Sequence, residues 1–195
     1  MCAAAAHAET ITFDASRAGG PPAGWTCGST GGGTPKWTIA PDAEAASGRY
    51  VLKQAGKAPF PWCVKQGTAL ADGIVEVKFK PLGGREDQAG GVVWRWKDGD
   101  TYYVARGNAL ENNVSLYYTE RGNRHTIKYV DAPVAPNAWH TLRVEFSDTR
   151  IRVSLDGKSY IELSDSHIAG PGAVGVWTKA DSVTVFDDFT YEAKP

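Results

Sequence analysis

Residues 142–158, LRVEFSDTRIRVSLDGK, decide the fold. Leu142, Val144 and Phe146 alternate with Arg143 and Glu145, and then Ile151, Val153 and Leu155 alternate with Arg150, Arg152 and Ser154. A strict period of two puts the apolar set on one face of an extended chain and the charges on the other, which predicts two strands each buried on one side. Asp156-Gly157-Lys158 then supplies a turn. One dry face and one wet face are the mark of antiparallel sheet.

The same arithmetic holds outward along the chain. In Ile74 to Lys80, Val75, Val77 and Phe79 share a face opposite Glu76, Lys78 and Lys80. Turn signals recur at Asp72-Gly73, Leu82-Gly83-Gly84, Asp98-Gly99-Asp100, Arg121-Gly122-Asn123 and Gly170-Pro171-Gly172, often near ten residues apart. No window longer than two turns has a capped helical period, although 43–46 and 108–113 suit single helical turns. With no helices to cover a sheet, the sheets must cover each other. A dozen or so short antiparallel strands then form an all-β sandwich or jelly roll. The Gly- and Pro-rich stretch 19–35 reads as a long surface loop.

Composition bounds the function. A chain of 195 residues suits one domain, and 22 Gly with 11 Pro mark it as turn-rich. The net charge of −1, without long runs of either sign, argues against a nucleic-acid partner held through phosphates. Aromatic residues make up 11%, including 7 Trp and 8 Tyr, which suits a stacking surface or a large β core. No stretch approaches the ~20 apolar residues of a membrane span. No phosphate loop or dinucleotide fingerprint is present. Oligomeric state is left open.

Residues 1–8 read as a signal-peptide remnant or tail ahead of a domain at 9–195, because Ala6-His7-Ala8 has the small-x-small form of a cleavage site. The expected location is secreted or periplasmic, with a lipoprotein anchored through Cys2 as the alternative. In an exported chain Cys27 and Cys63 are expected to form a disulfide. They lack the spacing of a zinc site.

Several stretches together resemble a family of exported bacterial proteins: EDQAGGVVWRWKDGDTYYVARGNALENNVSLYY (86–118), WHTLRVEF (139–146), LDGK (155–158) and GAVGVWTKADSVTVFDDF (172–189). The family is the concanavalin A-like jelly-roll group labelled 3-keto-disaccharide hydrolase or family 16 glycoside-hydrolase-like, and the likeness runs from TFDAS (12–16) to FDDF (186–189). It implies a sandwich whose concave sheet holds a carbohydrate. The EIDIEF-type strand that carries two carboxylates in family 16 glucanases has no counterpart here, the nearest strands reading IVEVKFK and LRVEFSD.

On that concave sheet the expected ligand-binding set is Arg95, Tyr103, Arg106, Asn108, Glu111, Asn112, Tyr117 and Lys179. Arg, Asn and Glu would hydrogen-bond sugar hydroxyls while rings stack on apolar sugar faces. The leading expectation is a glycan-binding protein. An enzyme on a 3-keto-glycoside is the alternative, with Glu86, Asp87, Glu111 and Asp181 as candidate acids and Arg95, Arg106 or Lys179 to polarise a keto group. A scaffold or adhesion domain without a sugar site is the second alternative, and a purely structural network of the same charges competes with all of these. Trp25, Trp37 and Trp62, in loop-rich contexts, are candidates for an exposed platform, and the three internal histidines His125, His140 and His167 are expected to be surface or satisfied side chains. No cofactor is implied except a structural calcium near Asp14 and Asp187, since Asp187 falls in the apolar phase of Val183, Val185 and Phe189.

Overall fold

A computed structural model describes residues 8–194. Cys2, Ala6 and His7, on which the expectations about export and anchoring rest, lie outside the described residues. The strands in chain order are β1 (Glu9–Ile11), β2 (Trp25–Thr30), β3 (Trp37–Pro41), β4 (Tyr50–Gln54), β5 (Phe60–Lys65), β6 (Gly73–Gly83), β7 (Ala89–Asp98) and β8 (Thr101–Asn108). They continue with β9 (Asn113–Glu120), β10 (Asn123–Asp131), β11 (His140–Ser147), β12 (Arg150–Leu155), β13 (Lys158–Ser164), β14 (Ala173–Trp177) and β15 (Val183–Ala193). The described residues include no helix, and the two segments that suited helical turns, 43–46 and 108–113, are turns and a strand end. The stretch 19–35 is not all loop, since β2 lies inside it.

All strand pairs are antiparallel. One sheet has the order β13-β12-β11-β6-β15-β4-β3, with β1 added to β15, and the other has β10-β9-β8-β7-β14-β5-β2. The alternating runs face each other between the sheets: Val75, Val77, Phe79, Leu142, Val144 and Phe146 from the first pack with Val92, Trp94, Ala105, Val114 and Leu116 from the second. Burying each such side chain contributes on the order of 2 kcal/mol. Cys27 and Cys63 are directly opposite in the β2/β5 ladder and form a disulfide.

Two bulges redirect side chains, and both upset a reading by strict alternation. In β7 one extra residue lies between the pairs Val93↔Gly175 and Trp96↔Ala173, and Arg95 takes a φ of 46°. Trp94 therefore joins the inter-sheet core, while Trp96 packs on Trp62 at 5.3 Å on the sheet's outer face. In β15 the ladder to β6 slips between Asp187 and Thr190, with Asp188 at a φ of 45°. Phe186 and Phe189 both reach the core across this slip. Asp187 is thus not in the core phase: it pairs with Lys78 and shares that residue's face.

Candidate functional site

The outer face of the seven-stranded sheet carries a polar network beside an aromatic floor. Register sets its rows. Tyr129, Ser115, Arg106, Gly91 and Trp177 stand side by side across β10, β9, β8, β7 and β14. The next row pairs Asn113 with Asn108, and on the other side Tyr117 stands beside Val104 and Val93. Gly91 gives Arg106 its room, since a Cβ there would lie 3.2 Å from the Arg106 Cβ and 2.6 Å from the carbonyl oxygen of Ala105.

Arg106, only 2% exposed, is the hub. Its Nη1 donates to Asp87 Oδ1 at 2.7 Å and its Nη2 to Glu111 Oε2 at 2.7 Å. Asn108 Nδ2 donates to the same Asp87 oxygen at 2.5 Å, and Lys179 Nζ lies 2.5 Å from Asp87 Oδ2. Asn113 Nδ2 donates to Glu111 Oε2 at 2.8 Å and to the Tyr129 hydroxyl at 2.5 Å, while its Oδ1 accepts from Ser115. Buried charges persist when each is paired and hydrogen-bonded, as here. Burial pulls the Glu111 pKa upward, but the Asn113 hydrogen bond with the Arg106 and Lys179 charges holds it below the ordinary carboxylate value. Burial alone would likewise lower Arg106, and the facing Tyr117, Asp87 and Glu111 hold it raised.

The floor is Tyr102, Tyr117 and Trp177, with Phe60 stacked on Trp177 at 6.0 Å. The Arg106 guanidinium lies 5.6 Å from the centre of the Tyr117 ring. Arg124, across from Thr119 in β10, lies 4.2 Å from that same ring and 4.8 Å from Phe60. Solvent reaches the network through Glu111, 37% exposed at the side chain, Tyr129, 47% exposed, and the partly exposed Lys179.

Of the residues singled out from sequence, this face assembles Asp87, Arg106, Asn108, Glu111, Tyr117 and Lys179. Arg95 and Tyr103 are elsewhere. The bulge turns Arg95 to the end of the sandwich, where it donates to the carbonyls of Ala71, Ile168 and Asp148 and lies over Phe146 at 5.7 Å. Tyr103 faces the inter-sheet core, stacked on Trp94 at 5.2 Å, and its hydroxyl bonds Asp165 and accepts from the Ile168 amide. Burial first, and then the Asp165 contact, push its pKa well above the ordinary range. Neither can touch a ligand on the outer face. Asn112, at a φ of 49°, uses its side chain to accept from the Val134 amide.

The other candidate acids hold loops. Glu86 pairs with Lys57 at the surface. Asp181 accepts from the amides of Arg85, Glu86 and Asp87 at 2.9 to 3.2 Å, so that despite partial desolvation its pKa sits below the usual value. Trp25, Trp37 and Trp62 are buried and form no exposed platform. His140 bonds Asp156 and the Ala135 carbonyl, His167 bonds Asp165, and the exposed His125 and His167 stack on Tyr118.

At the calcium candidate, Asp187 accepts from Ser47 N at 2.8 Å and Asp188 N at 2.8 Å, and Asp14 accepts from Arg49 N and Tyr50 N. Both carboxylates thereby pin the 47–50 loop with protein donors. Among the described residues no group of three or more His, Cys, Asp or Glu side chains comes together to hold a metal ion.

Sequence reasoning missed Asn113, Tyr129, Arg124, Phe60 and Trp177. The signal was the Arg121-Gly122-Asn123 turn. Closing a hairpin there puts Arg124 opposite Thr119, and Thr119 shares parity with Tyr117, which the sequence reading did single out.

No protein-family model matches the chain, and no curated protein matches it in sequence. Solved structures do resemble it. The carbohydrate-binding module CBM66 from Bacillus subtilis superimposes with a TM-score of 0.72 at 23% identity, over 87% of this chain and 96% of the module. A Bacillus licheniformis β-glucanase gives 0.65 at 14% identity, over 97% of this chain and 98% of the enzyme. The cellulose induced protein Cip1 gives 0.65 at 14%, over 95% of this chain and 97% of that protein. At these identities the likeness establishes the fold, a concanavalin A-like jelly roll.

Proposed function

We propose that this protein is an exported carbohydrate-binding protein that takes a glycan on the outer face of the seven-stranded sheet. One observation carries the reading: Arg106 is buried on a sheet face and shared between Asp87 and Glu111, which extends a connected polar network to the exposed Glu111, Lys179 and Tyr129. A pre-ordered set of donors and acceptors bordered by rings suits sugar hydroxyls and sugar faces. That CBM66 is a carbohydrate-binding module supports it. Export is supported by the disulfide, which is stable in oxidising compartments, and no helix of the described residues is long and apolar enough to cross a membrane.

The carboxylate chemistry favours binding over hydrolysis of a 3-keto-glycoside or other glycoside. A glycosidase acid needs a raised pKa, whereas Glu111 is held low. Asp87 is enclosed by Arg106, Asn108 and Lys179.

The test is a glycan array followed by titration of any hit with Tyr129→Ala and Lys179→Met, both chosen because they are not core side chains. A loss of affinity of about tenfold in each is the expected result, with the melting temperature unchanged in Tyr129→Ala and lowered in Lys179→Met, which leaves the buried Asp87 Oδ2 without its cation. An array with no hit removes the reading and leaves the scaffold alternative, and turnover of a 3-keto-disaccharide would restore the enzyme.

A further inference from the structure

Arg124 is the cation of this face that no acid neutralises. Arg106 is shared by Asp87 and Glu111, and Lys179 takes the second oxygen of Asp87. Among the described residues Arg124 forms no ion pair, and its Nη1 is buried without a hydrogen-bond acceptor. Three rings hold the guanidinium instead: Tyr117 at 4.2 Å, Phe60 at 4.8 Å and Trp177 at 5.9 Å. Ring faces fix the plane of a guanidinium but leave its in-plane N–H edge unbonded. Burial and the neighbouring Arg106 both press the Arg124 pKa downward, yet an arginine keeps its charge in a protein. The face therefore sets three cations, Arg106, Arg124 and Lys179, against two carboxylates; Arg106 keeps one unbonded donor, its buried Nε, and the surplus charge rests on Arg124, the one of the three without an acid.

We infer that the ligand of this face is an acidic glycan, and that Arg124 binds the carboxylate of a uronic acid residue. The inference rests on the reading that the face binds carbohydrate, and it names the substrate class. A planar carboxylate meets the parallel Nε–H and Nη2–H of a guanidinium, the edge that excludes the buried Nη1 of Arg124, in a bidentate pair, which a neutral hydroxyl cannot do. Glu111 and Lys179, on the exposed part of the network, then face hydroxyls of the same or the next sugar.

The experiment compares oligomers of galacturonate, glucuronate, mannuronate and guluronate with their own methyl esters, by calorimetry on the intact protein. Esterification removes the charge and leaves the sugar backbone unchanged. The expected result is that one acid binds at least tenfold more tightly than its ester and weakens with added NaCl, while the ester is insensitive to salt. Arg124→Gln should abolish that preference, so that acid and ester bind equally, and Arg124→Lys should retain the salt dependence with reduced affinity. Equal binding of every acid and its ester overturns the inference while the carbohydrate reading stands. A sulfated galactan that binds where all uronates fail overturns the carboxylate assignment. Failure of every acidic and neutral glycan overturns the carbohydrate reading itself. Should Arg124→Gln not fold, the preference for acid over ester and the salt dependence of the unaltered protein still decide.

Discussion

At the scale of single residues, two arginines that look equivalent in the sequence do different work. Arg106 organises the network on the outer face, whereas Arg95, 4% exposed, ties together the carbonyls of Ala71, Ile168 and Asp148. Truncating Arg95 leaves those three carbonyls without its donors. Arg95→Ala should accordingly cost about 3 kcal/mol in denaturant unfolding while ligand affinity below the transition is unchanged. A stable variant with weakened binding would return Arg95 to the site. Asp187 gives a prediction in pH. Burial pushes its pKa from 3.8 up to about 6 despite the hydrogen bonds from Ser47 and Asp188. A carboxyl raised in the folded state holds its proton better there than in the unfolded chain, so its contribution is fully present below pH 4 and is lost as pH rises toward 6. The loss is on the order of 2 to 3 kcal/mol across that window. Asp187→Asn should remove this component from the stability curve between pH 4 and 6, and an unaltered slope in the variant would refute it.

At the scale of elements, alternation was legible wherever a strand ran without a bulge. β11 and β12 read correctly from sequence because each buries one face and wets the other, and β6 does so as far as Lys78, while Lys80, expected on its wet face, is buried and paired with Glu44. The errors cluster at the bulges. One extra residue in β7 sends Arg95 away from the face that alternation assigns to it, and the slip in β15 brings Phe189 onto the core face of Phe186, out of phase with Asp187. Periodicity counts residues and cannot see an unpaired one, so every inference beyond a bulge changes sign. β8 shows a second limit. Tyr102 and Tyr103 are both fully buried, on opposite faces, since both faces of this sheet are covered where they stand. No hydrophobic pattern distinguishes the faces of a strand buried on both sides. β10 erred in the other direction: its mostly exposed pattern offered no apolar stripe, so Arg124 was passed over although the preceding turn fixed its partner.

At the scale of the molecule, the proposed ligand face and the disulfide meet in one sheet. β2 is the last strand of the seven-stranded sheet, and Cys27–Cys63 ties it to β5, which carries Phe60 of the aromatic floor. β10, with Arg124, closes the opposite edge. The two edges are held differently, because β10 is joined to β9 through a tight turn while β2 precedes a chain segment that crosses to the other sheet before returning as β5. Closing a loop between positions 36 apart removes unfolded-state entropy equivalent to about 3 to 4 kcal/mol. Cys27→Ser with Cys63→Ser should lower stability by that amount, read by chemical denaturation under conditions that keep the parent oxidised. The second half of the prediction is local. Hydrogen exchange should quicken most in β2 and the adjoining half of β5, while the amides around Arg106 in β8 and β9 keep their protection, because loss of the cross-link frees an edge strand rather than the sheet centre. Uniform loss of protection across both sheets would mean instead that the bond supports the whole sandwich, and that the ligand face has no stability independent of its edge.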